Sequence, residues 1–536
     1  MCGASMIHYG LSASERVLLT SAAGDKLTPQ ANISFVQGAA TNAVSIQVFP
    51  EQIRQTLLGI GTSFTEASAF VLAHLAPEQR AVVMAQIYGE QGADFTLART
   101  PIGATDFCVE GRYSYAPVDG DIALEHFDIG VDHDGFSTTK YSGVRDPEFD
   151  LLPMIHEALA IKSGQQDSTL RIMASAWTAP PWMKDIEDWY RDGSGGSLKP
   201  EHVATYADYL VRYLDAYAEA GVYLWSLTPV NEPQGNNGQW ESMHFSAESQ
   251  RDFIKYHLGP KLQHSGHEKI ELLMLDHSRG DLEHWADVIY GDSDSAQYVN
   301  GAAVHWYEST FKVYEEVFER VHARHPDFSI IHSEGCIDDL GKDAPAGVRD
   351  PVGYKESGWF DNDDFWWGAN ASDWAYSVTW DFVDADDHPL YTPVHRYARN
   401  IIVSLNHWVT GWIDWNIVLD AGGGPNHVGN FCGAPIMIDT ASGYVYYTPI
   451  YYVLAQFSRS IRPGDRAVQV ESQFPDGDQD ALHVSASING QQLLSLQVLN
   501  TTEQPIEYDL HIGSQHATVS MAANALQTLQ IRLPGR

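Results

Sequence analysis

Residues 221–233 read G-V-Y-L-W-S-L-T-P-V-N-E-P, and this stretch decides the fold. The apolar run Val222–Leu227 predicts a buried parallel strand, and the two prolines that follow it mark where regular strand pairing must stop. Asn231 and Glu232 are therefore expected at the carboxyl end of that strand. In a barrel of alternating strands and helices, catalytic groups come from the ends of several strands at one face, so position alone makes Glu232 a candidate.

A second carboxylate has the same kind of position about three strand–helix units further along the chain. Residues 328–335 read F-S-I-I-H-S-E-G, an apolar strand followed by Glu334 and a glycine. Two glutamates at the ends of non-adjacent strands can face each other across a barrel mouth, which is the geometry that glycoside hydrolysis needs. We expect Glu232 and Glu334 to be a catalytic pair; the alternative is two surface carboxylates that cap backbone amides.

Strand-like runs alternate with helix-like stretches through the middle of the chain, which predicts an α/β fold, a (β/α)8 barrel. Eight runs are present, at 59–63, 97–107, 172–177, 222–232, 272–277, 302–307, 328–334 and 409–416. The helix predicted from Pro200 to Ala220 shows the pattern, with tyrosine and leucine at helical spacing and Gly221 just past its end.

Both chain ends carry short β-rich runs separated by Gly, Asp, Pro and Asn. These runs are 16–20 and 44–49 near the N-terminus, and 481–486, 493–499 and 526–531 near the C-terminus. Because short strands need partners, we expect the two ends to build one β-sandwich beside the barrel. The predicted division is 1–55 and 456–536 for the sandwich and 56–455 for the catalytic barrel.

The charge composition argues against nucleic acid as a partner. The chain has 32 Lys and Arg against 70 Asp and Glu, a formal charge of −38, which repels nucleic acid and anionic membrane surfaces. No zinc spacing, Walker loop or dinucleotide fingerprint occurs, so we expect no metal and no cofactor. The four cysteines are far apart in sequence and are expected to be mostly free thiols.

Targeting and membrane segments are not evident in the sequence. No basic stretch followed by an apolar core begins the chain, and no run approaches the roughly 20 apolar residues that a membrane helix requires. We expect no transmembrane segment, and a location that is cytoplasmic as the chain stands, or secreted or periplasmic if a signal peptide was removed. The sequence does not specify an oligomeric state.

Aromatic residues at strand ends are candidates for holding a sugar. Trp177 and Trp415 are expected to present ring faces to the apolar C–H face of a sugar, whereas Trp412, nearer a strand centre, is expected to be core. Tyr307 either bonds a catalytic carboxylate or is a buried, satisfied tyrosine. Both interpretations stay open.

Charged residues of the second strand add to the site. Asp106 follows this strand, where an acceptor can hold two sugar hydroxyls. Arg99 lies within the strand, and a buried arginine must be paired, either with an ionised catalytic carboxylate or in a structural ion pair elsewhere. His277 and His305 lack metal-ligand spacing and are expected to be structural.

Two long connections, Val109–Asp150 and Gly335–Asp373, interrupt the regular alternation. Both are rich in Asp, Gly and aromatic residues. Long loops at the carboxyl face of a barrel usually shape the substrate site, and a plain solvated loop explains their acidic residues equally well.

As a set, these motifs resemble glycoside hydrolase family 30, within its acid β-glucosidase (glucosylceramidase) branch. The matching stretches are AWTAPPW at 176–182, LDAYAE at 214–219, NEP at 231–233, QRDFI at 250–254, LLMLD at 272–276, AVHWY at 303–307, SE at 333–334, GWIDWN at 411–416 and GGPN at 423–426. The likeness spans about residues 59–431. It implies a (β/α)8 barrel with a β-sandwich built from both chain ends, and a retaining mechanism.

The resemblance also implies residue roles. Glu334 would be the nucleophile that forms a glycosyl-enzyme intermediate, and Glu232 the acid that protonates the departing oxygen and later activates water. A retaining pair implies carboxyl groups about 5 to 5.5 Å apart. Tyr307 would touch this pair. The residues that would hold the terminal sugar or line its pocket are Asp106, Phe107, Trp177, Asn231, Trp415, Asn430 and Phe431.

Three positions depart from the family pattern. The first strand continues to Glu66 where the relative has a smaller, glycine-richer version ending in Asp, Gly335 replaces an alanine after the nucleophile, and His427 stands where a tryptophan is usual. These changes do not alter the expected chemistry. They do leave undecided which leaving group the site accepts.

The expected function is that of a retaining, exo-acting β-glucosidase of glucosylceramidase type. Its substrate would be a β-glucoside, a glucosyl lipid or an oligosaccharide with a terminal β-glucosyl group. A β-1,6-glucanase, β-xylosidase or β-fucosidase is the alternative within the same chemistry. An inactive carbohydrate-binding protein is the alternative from another class, and the presence of both carboxylates argues against it.

Overall fold

Eight parallel strands close into a barrel in the computed structural model, which describes residues 7–38, 42–165, 169–235, 239–337, 342–343, 348–349, 359–368, 392–474 and 481–534. Each barrel strand pairs with the next one along the chain, and the eighth pairs with the first. In chain order the strands are Gly59–Ser63, Leu97–Ile102, Arg171–Ala176, Ser226–Thr228, Glu271–Ser278, Gly301–His305, Ser329–Glu334 and Val409–Asp414. The predicted (β/α)8 barrel is confirmed.

The fourth barrel strand is shorter than predicted. The regular strand is Ser226–Thr228, so the prediction of a strand over Val222–Leu227 was wrong at its start. Gly221 has a φ of +84°, and the N–H of Val222 donates at 2.8 Å to a carbonyl in the last turn of the preceding helix. These residues therefore still close that helix. Tyr223 is 79 % exposed, which places it outside the barrel wall.

Helices surround the barrel. The longest, Val203–Glu219, follows the 3-10 turn Pro200–His202 and buries a face of tyrosine and leucine, as the spacing predicted. The other α-helices are Glu66–Ala73, Pro77–Tyr88, Leu151–Ser163, Ala247–Phe253, Gly259–His264, Leu282–Ile289, Ser293–Ala296, Glu315–Arg324, Asp363–Trp367, Pro393–Asn406 and Pro449–Ser460. Shorter turns are Gly130–Asp132, Pro181–Met183, Ile254–Leu258, Arg279–Asp281 and Trp359–Asp361. Within the described ranges, no helix combines the length and apolarity needed to cross a membrane.

The two chain ends meet in one ten-stranded, mostly antiparallel sheet. In spatial order its strands are Thr28–Pro29, Arg16–Ser21, Ala525–Arg532, Leu493–Asn500, Leu482–Ile488, Arg466–Gln473, Ser45–Thr56, Ile506–Ile512, Gln515–Met521 and Val36–Gln37. The Tyr508 hydroxyl donates to Gln527 Oε1 at 3.0 Å although several strands separate these residues in the sheet. The sheet therefore folds over on a shared core, as in a sandwich, and joins both chain ends as predicted.

Of the two predicted domain limits, one lies close to the end of a strand and the other lies inside a helix. The strand Ser45–Thr56 ends at the first limit, whereas the helix Pro449–Ser460 runs across the limit predicted between residues 455 and 456. We therefore propose that the C-terminal part of the β-domain begins after this helix, shortly before the strand Arg466–Gln473.

The connection Val109–Asp150 is anchored to the barrel wall. Asp132 is buried in it and accepts hydrogen bonds at 2.7 Å from the hydroxyls of Tyr115, in the same loop, and Tyr217, in a barrel helix. Much of the other predicted connection, Gly335–Asp373, lies outside the described residues. Two small sheets are also present, Val418–Asp420 with Ile436–Asp439 and Tyr444–Tyr447, and Lys342–Asp343 with Val348–Arg349.

Candidate active site

Glu232 and Glu334 lie together at the barrel mouth. Glu334 is the last residue of the seventh strand, and Glu232 follows the fourth strand. One carboxylate oxygen of each, and a ring nitrogen of His305, all lie within 4.8 Å of one another. Glu232 has a φ of +47°, a left-handed conformation that costs about 1–3 kcal/mol outside glycine and that recurs at functional sites. The barrel thus brings the two glutamates face to face.

Arg99 supports Glu334 from inside the barrel. Its buried guanidinium donates to Glu334 Oε2, to Asn231 Oδ1 at 2.7 Å and to Asp276 Oδ2 at 2.9 Å. Of the two interpretations of Arg99, pairing with the predicted catalytic carboxylate is therefore the one observed. Because a charged donor favours an ionised acceptor, Arg99 both orients Glu334 and favours its charged form.

Asp276 is the centre of the hydrogen-bond network around Arg99. Its carboxylate accepts hydrogen bonds from three hydroxyls, those of Ser175 at 2.6 Å, Thr228 at 2.8 Å and Ser333 at 2.8 Å. Burial opposes ionisation of Asp276, but the Arg99 charge, the His305 ring and the hydrogen bond from Ser175 together outweigh burial and hold the pKa of this carboxyl far below its usual range. Asp276 is therefore a permanent negative charge that balances Arg99.

The substitution Asp276→Asn is expected to lower the free energy of unfolding by roughly 3–5 kcal/mol, because it removes one partner of a buried ion pair and leaves the Arg99 charge poorly compensated. Urea unfolding followed by tryptophan fluorescence measures the change. Ser333→Ala is the matched control, since it removes only a neutral donor to the same carboxylate and should cost about 1 kcal/mol. Equal losses in the two variants would contradict a central role for the Asp276 charge.

His305 lies between two carboxylates. Its Nδ1 is 3.1 Å from Glu232 Oε1, and its Nε2 is 2.9 Å from Asp276 Oδ1. Acceptors on both sides favour a proton on each ring nitrogen. Burial acts against the charged ring, but the negative charge of Glu334 and the two hydrogen bonds raise the pKa of His305 to about 10. The sequence predicted that His305 is structural rather than metal-bound; its ring contacts Glu232 and Asp276, and that expectation stays a prediction.

The group Glu232, His305 and Glu334 has the proximity that could hold a metal ion. Its chemistry favours protons instead. An imidazolium ring has no free lone pair for a metal, and Glu334 is already paired with the Arg99 guanidinium. That the site works without a metal stays a prediction.

The two glutamates influence each other's ionisation because their oxygens are close. Burial raises the pKa of Glu334, and the negative charge of Glu232 adds to the increase, while His305 and Arg99 oppose it. At Glu232, burial also favours the neutral form, but the hydrogen bond from His305 and the positive charges of His305, His277 and Arg99 together outweigh burial and lower the pKa. The pair therefore retains one proton more readily than two isolated glutamates would.

Tyr307 contacts the predicted nucleophile, which decides between the two interpretations of this residue. Its hydroxyl donates to Glu334 Oε1 at 3.1 Å and lies 3.4 Å from Cys336 Sγ. The sulfur atoms of Cys336 and Cys432 are 3.4 Å apart, and both side chains are buried, as is that of Cys108. The fourth cysteine lies outside the described residues.

Trp177 and Trp415 stack on each other beside Arg99. Their ring centroids are 5.1 Å apart with planes at 24°, and Phe107 packs edge-on against Trp415 at 5.9 Å. The Arg99 guanidinium lies 4.8 Å from the Trp177 ring. Both tryptophans are only 2–3 % exposed, so the expectation of open ring faces is corrected: neighbours cover most of each face. Trp412 is buried, as expected.

Asp106 is held by two asparagine side chains. The Nδ2 atoms of Asn426 and Asn430 each donate to Asp106 Oδ2 at 3.2 Å. Burial raises the pKa of Asp106 to about 7, and the negative charge of Glu334 adds to the increase.

Asn231 and Phe431 complete the predicted set. Asn231 is buried, and its backbone N–H donates to the Ala176 carbonyl at 2.6 Å. The Phe431 ring is half-buried and lies against Gly424, where an added Cβ would be 3.2 Å from the ring. The contacts join Arg99, Phe107, Trp177, Asn231, Glu232, Tyr307, Glu334 and Trp415 into one cluster, which Asp106 and Asn430 adjoin.

Sequence reasoning did not assign Asp276, His305 or Glu241 to the site. Asp276 and His305 lie in the carboxyl-terminal parts of the fifth and sixth strands, so the rule that selected Glu232 would also have found them. Glu241 had no such indication. It lies in a loop, is fully buried, and its Oε1 is 3.0 Å from His427 Nε2.

Known proteins share this architecture. A sequence profile described as the glycosyl hydrolase family 30 TIM-barrel domain matches residues 57–350 and 362–461. A Mus musculus protein named lysosomal acid glucosylceramidase is 31 % identical over 78 % of this chain and 70 % of its own length. A Neurospora crassa protein named endo-1,6-β-D-glucanase is 23 % identical over 84 % of this chain and 79 % of its own. The crystal structure of SrfJ from Salmonella typhimurium is similar with a TM-score of 0.78 and 25 % identity, over 97 % of this chain and 99 % of that one.

Proposed function

Because the chain belongs to glycosyl hydrolase family 30, and is thus a retaining glycoside hydrolase, we propose that it is an exo-acting β-glucosidase that removes terminal β-glucosyl residues. The observation that carries the proposal is the pair Glu232 and Glu334, with carboxylate oxygens within 4.8 Å of each other. A retaining reaction needs carboxyl groups about 5 to 5.5 Å apart, since no water has to fit between the nucleophile and the sugar.

In the first step, an oxygen of Glu334 attacks the anomeric carbon as the glycosidic C–O bond breaks. The departing oxygen takes the proton of Glu232, so the leaving group departs as an alcohol. Arg99 and the Tyr307 hydroxyl donate to Glu334 and hold its attacking oxygen in place. The product of this step is a glycosyl ester on Glu334.

In the second step, the carboxylate of Glu232 takes a proton from water, and the water oxygen attacks the anomeric carbon. The ester bond to Glu334 breaks, and the sugar leaves with its original configuration after two inversions. His305 donates to Glu232 and so fixes the carboxyl that acts first as acid and then as base.

The proton must be on Glu232 when the glycosidic bond breaks. In the site without substrate, the raised pKa of Glu334 and the lowered pKa of Glu232 favour the opposite arrangement. A bound glycoside changes this balance, because positive charge developing at the anomeric carbon stabilises an ionised Glu334. The departing oxygen at the same time provides an acceptor for the Glu232 proton.

The terminal sugar is proposed to lie among Asp106, Asn231, Trp177, Trp415 and Asn430. Asp106 supplies an acceptor for hydroxyl groups, and the two asparagine amides supply donors and acceptors. The stacked rings of Trp177 and Trp415 are proposed to form the base of the sugar pocket, next to Arg99. A site of a few fixed polar groups among aromatic rings suits a neutral, hydroxyl-rich ligand.

A β-1,6-glucanase is the second candidate. The Neurospora crassa relative that carries this name aligns with 84 % of the chain. Both activities need the same carboxylate pair, so the choice between them depends on how far the substrate extends beyond the terminal sugar.

Hydrolysis of aryl β-glucosides, β-xylosides and β-fucosides tests the proposal. We expect kcat/KM to be highest for the β-glucoside, and ¹H NMR during the first minutes to detect β-glucose before it equilibrates with the α-anomer. A preference for the xyloside or fucoside would contradict the sugar assignment. α-Glucose as first product would contradict the retaining roles of Glu232 and Glu334.

A further inference from the structure

We infer that the sugar pocket adjoins a polar wall that holds a second sugar unit, joined to the terminal one. The wall consists of Arg112, Tyr190, Glu241 and His427. The inference rests on the proposed β-glucosidase function and names its substrate class, which is a β-linked oligosaccharide rather than a glucosyl lipid.

Glu241 organises the polar wall. Its side chain is fully buried, and its Oε1 is 3.0 Å from His427 Nε2 and 3.8 Å from Arg112 Nε. A buried carboxylate without such partners would be strongly unfavourable. The Glu241 charge therefore fixes two side chains that reach the surface.

The wall belongs to the same face of the barrel as the catalytic pair. Its four residues follow the second, third, fourth and eighth barrel strands, so each lies in a loop at the carboxyl face. Glu241 is in the same loop as Glu232. Groups that meet at this face can contact a substrate held by the catalytic pair.

The polar wall also contacts Asp106, which is proposed to hold the terminal sugar. The backbone N–H of His427 donates to the Asp106 carbonyl at 3.1 Å, and the preceding Asn426 donates to the Asp106 carboxylate. Gly111, next to Arg112, lies against the His427 ring, where an added Cβ would be 3.7 Å away. The polar wall therefore adjoins Asp106, and a second sugar must reach the wall from the Glu232 side, because the cleaved bond that joins it to the terminal sugar is protonated by Glu232.

The accessible groups of the wall suit hydroxyls. The Arg112 side chain is 39 % exposed, donates to the Tyr190 hydroxyl and lies 4.4 Å from the Tyr190 ring. Burial would lower the pKa of His427, but the hydrogen bond and charge of Glu241, together with the charge of Asp106, outweigh burial and raise it. A hydrocarbon chain on this surface would remove water from the guanidinium and imidazole without replacing its hydrogen bonds, whereas sugar hydroxyls replace them.

Three substrates separate the contribution of the second sugar from that of the first: an aryl β-glucoside, a β-linked glucose disaccharide and octyl β-glucoside. We expect the wild type to have a higher kcat/KM for the disaccharide than for octyl β-glucoside. Arg112→Ala is expected to lower that ratio about 10-fold or more, mainly by raising KM for the disaccharide, because a charged hydrogen bond is lost. Glu241→Gln should lower the ratio in the same direction, since it removes the charge that fixes Arg112 and His427.

Arg191→Ala is the control. Arg191 is an exposed neighbour of Tyr190 that pairs with Asp188 in its own loop, so its removal should leave the ratio unchanged. An unchanged ratio in both Arg112→Ala and Glu241→Gln, or a wild-type preference for octyl β-glucoside, would overturn the inference even if the aryl glucoside is hydrolysed. If none of the three glucosides is hydrolysed, the β-glucosidase proposal itself fails, and the inference with it.

Discussion

Glu334→Gln is expected to lower kcat for an aryl β-glucoside by roughly 10⁴-fold or more, the size of loss seen when a covalent nucleophile is removed. The side-chain amide is similar in size to the carboxylate and leaves an acceptor for Arg99 and Tyr307, but it is a poor nucleophile. Initial rates with a chromogenic β-glucoside measure the loss. Glu308→Gln is the control, because Glu308 is a buried carboxyl that accepts from the Gly280 backbone, and its loss should change kcat by only a few-fold.

Azide distinguishes a missing nucleophile from a general loss of activity. In Glu334→Gly, azide can enter the vacated space and attack the anomeric carbon of the bound β-glucoside from the face opposite the leaving group. A single inversion then gives α-glucosyl azide, which NMR identifies. Formation of β-glucosyl azide would instead mean that Glu334 is the acid and base. If the variant hydrolyses the glucoside at the wild-type rate and azide does not increase that rate, Glu334 takes no part in the reaction.

Much of the fold could be predicted from local sequence patterns. Each barrel strand is a short apolar run that ends in polar or aromatic residues, and eight such runs are enough to predict closure into a barrel. The fourth strand was predicted too long because an apolar run does not distinguish a strand from residues that close a helix. Val222 is apolar and buried, but it completes the end of the preceding helix rather than joining the barrel wall.

The proximity of Glu232 and Glu334 was predictable because both lie at strand ends, a position that the sequence pattern reveals, whereas their catalytic roles stay a prediction. The contacts of that pair were harder to predict, since they depend on which side chains meet across the barrel. His305 had the right position, but only the structure places its ring between Glu232 and Asp276. Glu241 could not be found at all, because its burial depends on where several loops meet and no local pattern encodes that meeting point.

Glu232→Gln is expected to slow hydrolysis in proportion to the leaving group's need for a proton. For an alkyl or sugar leaving group, loss of a general acid should cost about 10²–10⁴-fold in kcat/KM. A dinitrophenyl leaving group departs as a stable anion, so its departure should be slowed far less. The two substrates, measured with wild type and variant under the same conditions, give this difference as a ratio of kcat/KM values.

The product formed with azide completes the assignment of Glu232. When Glu232 is replaced by alanine, azide can attack the anomeric carbon of the glycosyl ester on Glu334 from the side that Glu232 occupied. This second inversion gives β-glucosyl azide. This is the opposite anomer from that expected for Glu334→Gly, so the two variants assign the two roles independently. Equal losses for the alkyl and dinitrophenyl glucosides would contradict the acid role of Glu232. The proton donor would then have to be sought at His305, whose Nδ1 is 3.1 Å from Glu232 Oε1.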